Sequence, residues 1–313
     1  MEIIQHSGFK ELIVSFEEFI DLIRPENKKK LGQHIDSANH KLIFRGQSDS
    51  EHELLPSLFR DTFEYSYFSG KFGDLCFLQF SFLKRFVAGC DLNAVPVPND
   101  SYEFRKKYLD EFPDKVVFDS STWPNQALYE LLALAQHYGY PTDLLDWSYS
   151  SLIAGYFAAS GVIEKNLDLN KSMSIWVFDL EKKNILNSHN KINFEVIDVP
   201  RSLNLNISSQ QGCFTLVRQN ISRNSSLSYS GKRIKEVKLL TDLMAEKQQN
   251  GLLKLTLSNK HAVELIEFCE SYSINAASLF RGPYGAARYA VESINLNRFA
   301  ANNEQSVGGV MPL

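Results

Sequence analysis

Long apolar runs are missing: no stretch approaches about eighteen consecutive apolar residues, so no membrane-spanning helix is expected. Paired cysteines are missing too. Cys76, Cys90, Cys213 and Cys269 are scattered, with no CxxC and no histidine at metal-ligand spacing, which excludes a zinc motif and a disulfide framework as organising devices. The N-terminal residues MEIIQHSGFKELIV lack a basic start and a long apolar stretch. Together with the reduced thiols they set the expectation of a cytoplasmic protein. There is no GxxxxGK[ST] loop, no GxGxxG after a strand, no HExxH and no GxSxG elbow, so several familiar enzyme chemistries are set aside. An excess of positive charge is also missing: the net charge is -4 and the pI near 6.0, which does not favour broad nucleic-acid binding.

What is abundant is aromatic. The chain has 22 Phe and 13 Tyr among 313 residues, which indicates a core built on large rings. With 44% apolar and 22% charged residues it has the composition of a globular protein. No internal repeat and no Pro- or Gly-rich linker divides it. The expectation is one domain over 1–313 with a helical insertion at about 65–120.

Apolar periodicity predicts helices over 11–24, 73–87 and 102–112, and one after Trp123-Pro124-Asn125 that carries Leu128, Leu131, Leu132 and Ala135. Further helices are predicted at about 232–248, 261–272 and 284–296, and one from Ser150 to Ser160 with Asp146 or Ser148 as its cap. Strands are predicted at KLIFRG, SIWVFDL, CFTLV and LKLTL, while 163–172 and 181–208 read as irregular surface. Helices cluster early and strands late without regular alternation. That points to an α+β fold, with a mixed or antiparallel central sheet flanked by helices.

Two segments place costly polar groups inside apolar runs: LIFRGQ at 42–47 and AQHYGYPTDLLDW at 135–147. A buried charge needs a partner or a ligand. Arg45 precedes Gly46, which would let a ligand approach the backbone, and its guanidinium fork suits phosphate or carboxylate. A structural clamp to Asp146 stands beside that reading. His137 and Tyr138 close a helix before the GYPT turn; the ring either sits in the helix dipole or lines a pocket. Gln210-Gln211-Gly212 either floors a pocket or forms a simple turn.

The run FRGQSDSEHELLPSLFR, followed by AQHYGYPTDLLDWSYSSLIAGYFAAS, resembles the FRG domain family, named for Phe44-Arg45-Gly46. The likeness extends through NISSQQGCFTL at 206–216 and INAASLFRGPYGAARYA at 274–290. It departs from the family at Asp143, where a basic residue is more usual, and at FRGPYG, where Arg281 and Tyr284 replace acids. Either a swapped Asp143–Arg281 ion pair or a retuned ligand site would account for the two. A more distant similarity is to arginine-serine-glutamate ADP-ribosyltransferases. Arg45 matches the arginine that braces NAD phosphate or ribose, and Ser148-Tyr149-Ser150 matches the serine element, whereas Gln210, Gln211 and Cys213 stand where a Gln/Glu-x-Glu is wanted.

These resemblances imply a pocket for a nucleotide-like ligand such as NAD, with ADP-ribosyl transfer or NAD cleavage as the enzymatic form. Arg45, Gln47, Tyr138, Asp146, Trp147, Ser148 and Ser150 would bind the ligand, and His137 or Gln211 would orient the attacking group. No metal is called for. The rival implication is a non-catalytic sensor or interaction module with a protein partner, in bacterial stress or phage defence.

Overall fold

The first residues form a hairpin whose second strand runs into the start of the predicted helix. In the computed structural model, which describes residues 1–60, 71–111, 115–116, 119–188, 191–200, 205–222, 224–230 and 233–307, β1 (Glu2–His6) turns at Gly8 (φ 87) into β2 (Phe9–Ile13). The helix predicted from residue 11 therefore starts late. Ser15 accepts a hydrogen bond from Glu18 N (3.3 Å) while the Glu18 carboxylate accepts one from Ser15 N (3.0 Å), a capping box that fixes α1 at Phe16–Ile23.

The chain continues through α2 (Lys28–Gln33), β3 (Leu42–Gln47), α3 (Phe72–Leu92), α4 (Tyr102–Tyr108), α5 (Tyr129–His137), β4 (Leu145–Ser148), α6 (Ser151–Glu164) and β5 (Ser172–Asp179). Then follow β6 (Phe194–Ile197), α7 (Leu205–Ser209), β7 (Gly212–Val217), β8 (Tyr229–Ser230), β9 (Arg233–Ile234), α8 (Leu240–Glu246), β10 (Leu252–Ser258), α9 (Ala262–Ser271), α10 (Ala276–Leu279) and α11 (Pro283–Val307). Eight strands form one sheet in the order β1-β2-β10-β5-β3-β4-β7-β6, antiparallel except for the parallel β2/β10 pair. The fold is α+β with a mixed sheet. No helix among the described residues is long and apolar enough to cross a membrane.

Several boundaries correct the periodicity. The helix predicted over 232–248 is only α8, because the polar residues before it join a small β8/β9 hairpin and Asp242 accepts from Leu239 N (2.8 Å) to start the helix; Lys232 lies outside the described residues. Within 181–208 the structure adds β6 and α7, and α6 runs on to Glu164. The cap of α6 is Ser150, whose Oγ accepts from Ile153 N (3.4 Å), not Asp146 or Ser148. Residues 65–70, 112–114 and 117–118 of the expected helical insertion lie outside the described residues.

Three apolar clusters hold the layers together. Alternate sheet residues such as Leu42, Phe44, Val177 and Leu255 pack under α1, α6 and α9. Phe214 and Leu216 pack with α3 and α5, and Ile43, Trp147, Trp176 and Phe178 meet α8 on the other face. Gly46 sits directly beneath α6: a Cβ there would lie 1.9 Å from the Ala154 carbonyl oxygen. The missing side chain is thus used for helix-on-sheet packing rather than for ligand approach.

Inside the α3/α5 cluster, Asp143 is buried and accepts a hydrogen bond from Gln79 Nε2 (3.2 Å), with Arg218 in its field; Arg281 lines the cavity described below. Burial pushes the Asp143 carboxyl up to about 6, partly opposed by Gln79 and Arg218. In the unfolded chain the group titrates near 4, so between about pH 4 and 6 the fold binds the extra proton and stability falls as pH rises, levelling off above about 6. Asp143→Asn should flatten that slope and raise the unfolding free energy at pH 8 by about 1–3 kcal/mol. Urea titrations at pH 4.5 and 8 check this; an Asn variant with the wild-type slope would refute it.

Candidate functional site

Strands β3 and β4 barely touch. Leu42 to Gln47 all pair with β5, and Leu145 to Ser148 all pair with β7, but between β3 and β4 only Phe44 and Ser148 are in register. Beyond that pair the strands splay, and the gap opens into a cavity of about 1510 Å³. That exceeds the ~300–1,000 Å³ usual for a small-molecule pocket. The end of α5 stands on one side and α6 with the start of α11 on the other.

Arg45 spans the gap. Its Nη1 donates to the Asp146 carbonyl oxygen at 2.7 Å, which a continuous ladder would have given to a β3 amide, and lies 3.6 Å from Asp146 Oδ2. The side chain is 14% exposed, and its Nε is buried with no hydrogen-bond partner among the described residues. Arg60 lies close enough to repel it and chelates the Leu55 carbonyl oxygen through Nε (3.0 Å) and Nη2 (2.9 Å). Burial pulls both guanidinium pKa values down; Asp146 opposes this in each case. Two guanidiniums thus share one carboxylate, which is itself 59% exposed and also accepts from Gln136 Nε2 (2.5 Å).

Residues 40–166 match the family model of the FRG domain. The chain carries an FRG domain. No curated protein and no solved structure matches it. The FRG domain contains both strands of the gap, Arg45, Arg60, His137 and Asp146. Residues 206–216 and 274–290 lie outside the matched region.

The predicted ligand residues divide by placement. Arg45, Asp146, His137 and Tyr138 line the cavity, Tyr138 at its exposed rim. Burial lowers the His137 pKa against the pull of Asp146, so the ring is neutral at pH 7. Gln47 and Ser148 also border the cavity but have structural duties. Gln47 accepts from Trp176 Nε1 (2.8 Å) and donates to the Glu53 carbonyl (3.0 Å), and Ser148 Oγ donates to the Gln210 carbonyl (2.8 Å). Trp147 borders it with its indole committed to the core, Nε1 donating to Thr215 Oγ1 (2.8 Å). Ser150 and Gln211 are not brought to the cavity. Gln211 occupies a left-handed turn (φ 47) and is exposed, its carbonyl accepting from Tyr149 N (3.0 Å); Gln210 lines the cavity in its place.

Sequence reasoning missed Arg60, Lys165 and Arg288 as lining groups, while Arg281 and Tyr284, read there as a departure that could retune a ligand site, line the cavity. The signal for Arg60 was the close of the same FRG run, an arginine straight after Leu58-Phe59. Among the described residues no group of three His, Cys, Asp or Glu could hold a metal, and the four cysteines are buried and form no disulfide.

Proposed function

We propose that the FRG-domain cavity binds an anionic nucleotide-like ligand, with NAD or its ADP-ribose part as the leading candidate. The observation that carries this is Arg45, a buried guanidinium whose Nε has no partner among the described residues, beside a second guanidinium at the floor of a cavity large enough for a dinucleotide. A phosphate in the cavity would meet the exposed edge of the Arg45 guanidinium and relieve the repulsion between Arg45 and Arg60. In the enzymatic form, the bond between ribose C1′ and the nicotinamide nitrogen breaks with its electron pair leaving on nicotinamide. An attacking hydroxyl forms the new bond to C1′, and neutral His137 takes its proton.

Binding without turnover is the second reading. It is supported by Gln211, which stands exposed and outside the cavity where a transferase would carry its strand-start carboxylate.

Titration calorimetry with NAD and ADP-ribose tests the binding claim. Arg45→Lys keeps the charge but loses the fork, so affinity should fall at least about tenfold. Wild-type protein that binds neither compound would refute the proposal. Chromatographic detection of released nicotinamide separates the two readings: release that His137→Ala abolishes supports cleavage, and binding without release supports the sensor.

A further inference from the structure

Resting on that reading, we infer that the ligand is bipartite and that α11, outside the matched FRG region, supplies the seat for its aromatic ring. The β3/β4 side of the cavity offers guanidiniums for phosphate. The α6/α11 half is built differently. Phe280 meets Phe157 of α6 edge-on at 6.0 Å and Tyr284 of α11 edge-on at 5.8 Å, while Arg288 stacks its guanidinium 4.4 Å above the Phe280 ring. Arg288 donates to Glu164 Oε2 (3.0 Å) and to the Tyr284 hydroxyl (3.4 Å). Phe157, Phe280, Tyr284 and Arg288 line the same cavity as Arg45.

The local sequence explains the arrangement. Gly282 takes a left-handed conformation (φ 74), Pro283 opens α11, and a Cβ at Gly285 would lie 1.6 Å from the Phe280 carbonyl oxygen. Only this glycine-proline spacing folds the first turn of α11 back onto Phe280 and brings Tyr284 beside it. Tyr284 remains 64% exposed, so its packing against Phe280 leaves most of the ring uncovered. An uncovered phenol ring next to a planar guanidinium, at the mouth of a cavity whose floor is cationic, is a stacking platform for a nucleobase or nicotinamide. The substrate class is therefore a phosphate ester carrying a planar heterocycle, not a sugar phosphate or a free polyphosphate.

Calorimetry with pyrophosphate, ADP and NAD on wild type, Tyr284→Ala, Tyr284→Phe and Arg45→Lys tests this. Tyr284→Ala should weaken ADP and NAD about tenfold or more while leaving pyrophosphate unchanged, and Tyr284→Phe should restore nucleotide binding. Tyr284→Ala binding ADP as tightly as wild type, or losing pyrophosphate and ADP equally, would overturn the ring seat. If Arg45→Lys still weakened all three ligands in that case, the phosphate reading would survive alone. Wild type that binds none of the three overturns both.

Discussion

Gly46→Ala should cost about 3 kcal/mol or more of stability, enough to leave a large unfolded fraction. Overpacking usually costs less because a side-chain end can swing away. Here the obstacles are backbone atoms of α6: the Ala154 carbonyl oxygen at 1.9 Å and Ala158 N at 2.8 Å from the added carbon. Relief requires lifting α6 off β3, which opens the apolar cluster around Phe44, Ile153 and Val177. Gly89→Ala in α3 is the control, since a Cβ there meets nothing within 4 Å and alanine is the better helix former. Urea denaturation of the two variants should shift the midpoint in opposite directions. Equal midpoints for Gly46→Ala and wild type would show that α6 does not rest on the strand this way.

The second large effect is expected at Arg218→Met. Arg218 is 8% exposed and its Nε contacts Glu195 Oε1 at 2.6 Å; Nη1 donates to the carbonyl oxygens of Pro124 (2.7 Å) and Ser121 (3.3 Å), and Nη2 donates to the Tyr129 hydroxyl. Methionine leaves the Glu195 carboxylate, 14% exposed, without its counter-charge, and strands those two carbonyls. The loss should be about 3–5 kcal/mol. Because most of that loss is the orphaned carboxylate, Glu195→Leu added to Arg218→Met should restore part of it. Chemical unfolding of the single and double variants measures both. A single variant within about 1 kcal/mol of wild type would contradict the argument.

The central strands were legible because β3, β5, β7 and β10 are short apolar runs with few rivals for their place. The Arg45–Asp146 contact was legible because an arginine in such a run demands an acceptor. The N-terminal hairpin was not, since FKELI has the same apolar residues that a helix turn would use and only the Gly8 turn and the capping box decide against it. Gly46 reads equally as an open door for a ligand or as a contact surface, and only the position of α6 separates the two. The α11 half of the cavity was hidden for a different reason: an exposed tyrosine and an arginine on a polar helix look solvated until Phe280 is seen folded beneath them.

The lone Phe44–Ser148 register pair has a mechanical consequence. Five strands lie on one side of it and three on the other, so the eight-stranded sheet acts as two plates sharing a single stitch. Changing the angle between the plates breaks one ladder step, strains the Arg45 strut and shears the Trp147–Phe178 packing that also crosses the seam, while the other strand pairings are kept. A molecule wedged between β3 and β4 would therefore be felt as a rotation of β4, β7 and β6 together with α3 and α5, transmitted to a surface far from the wedge.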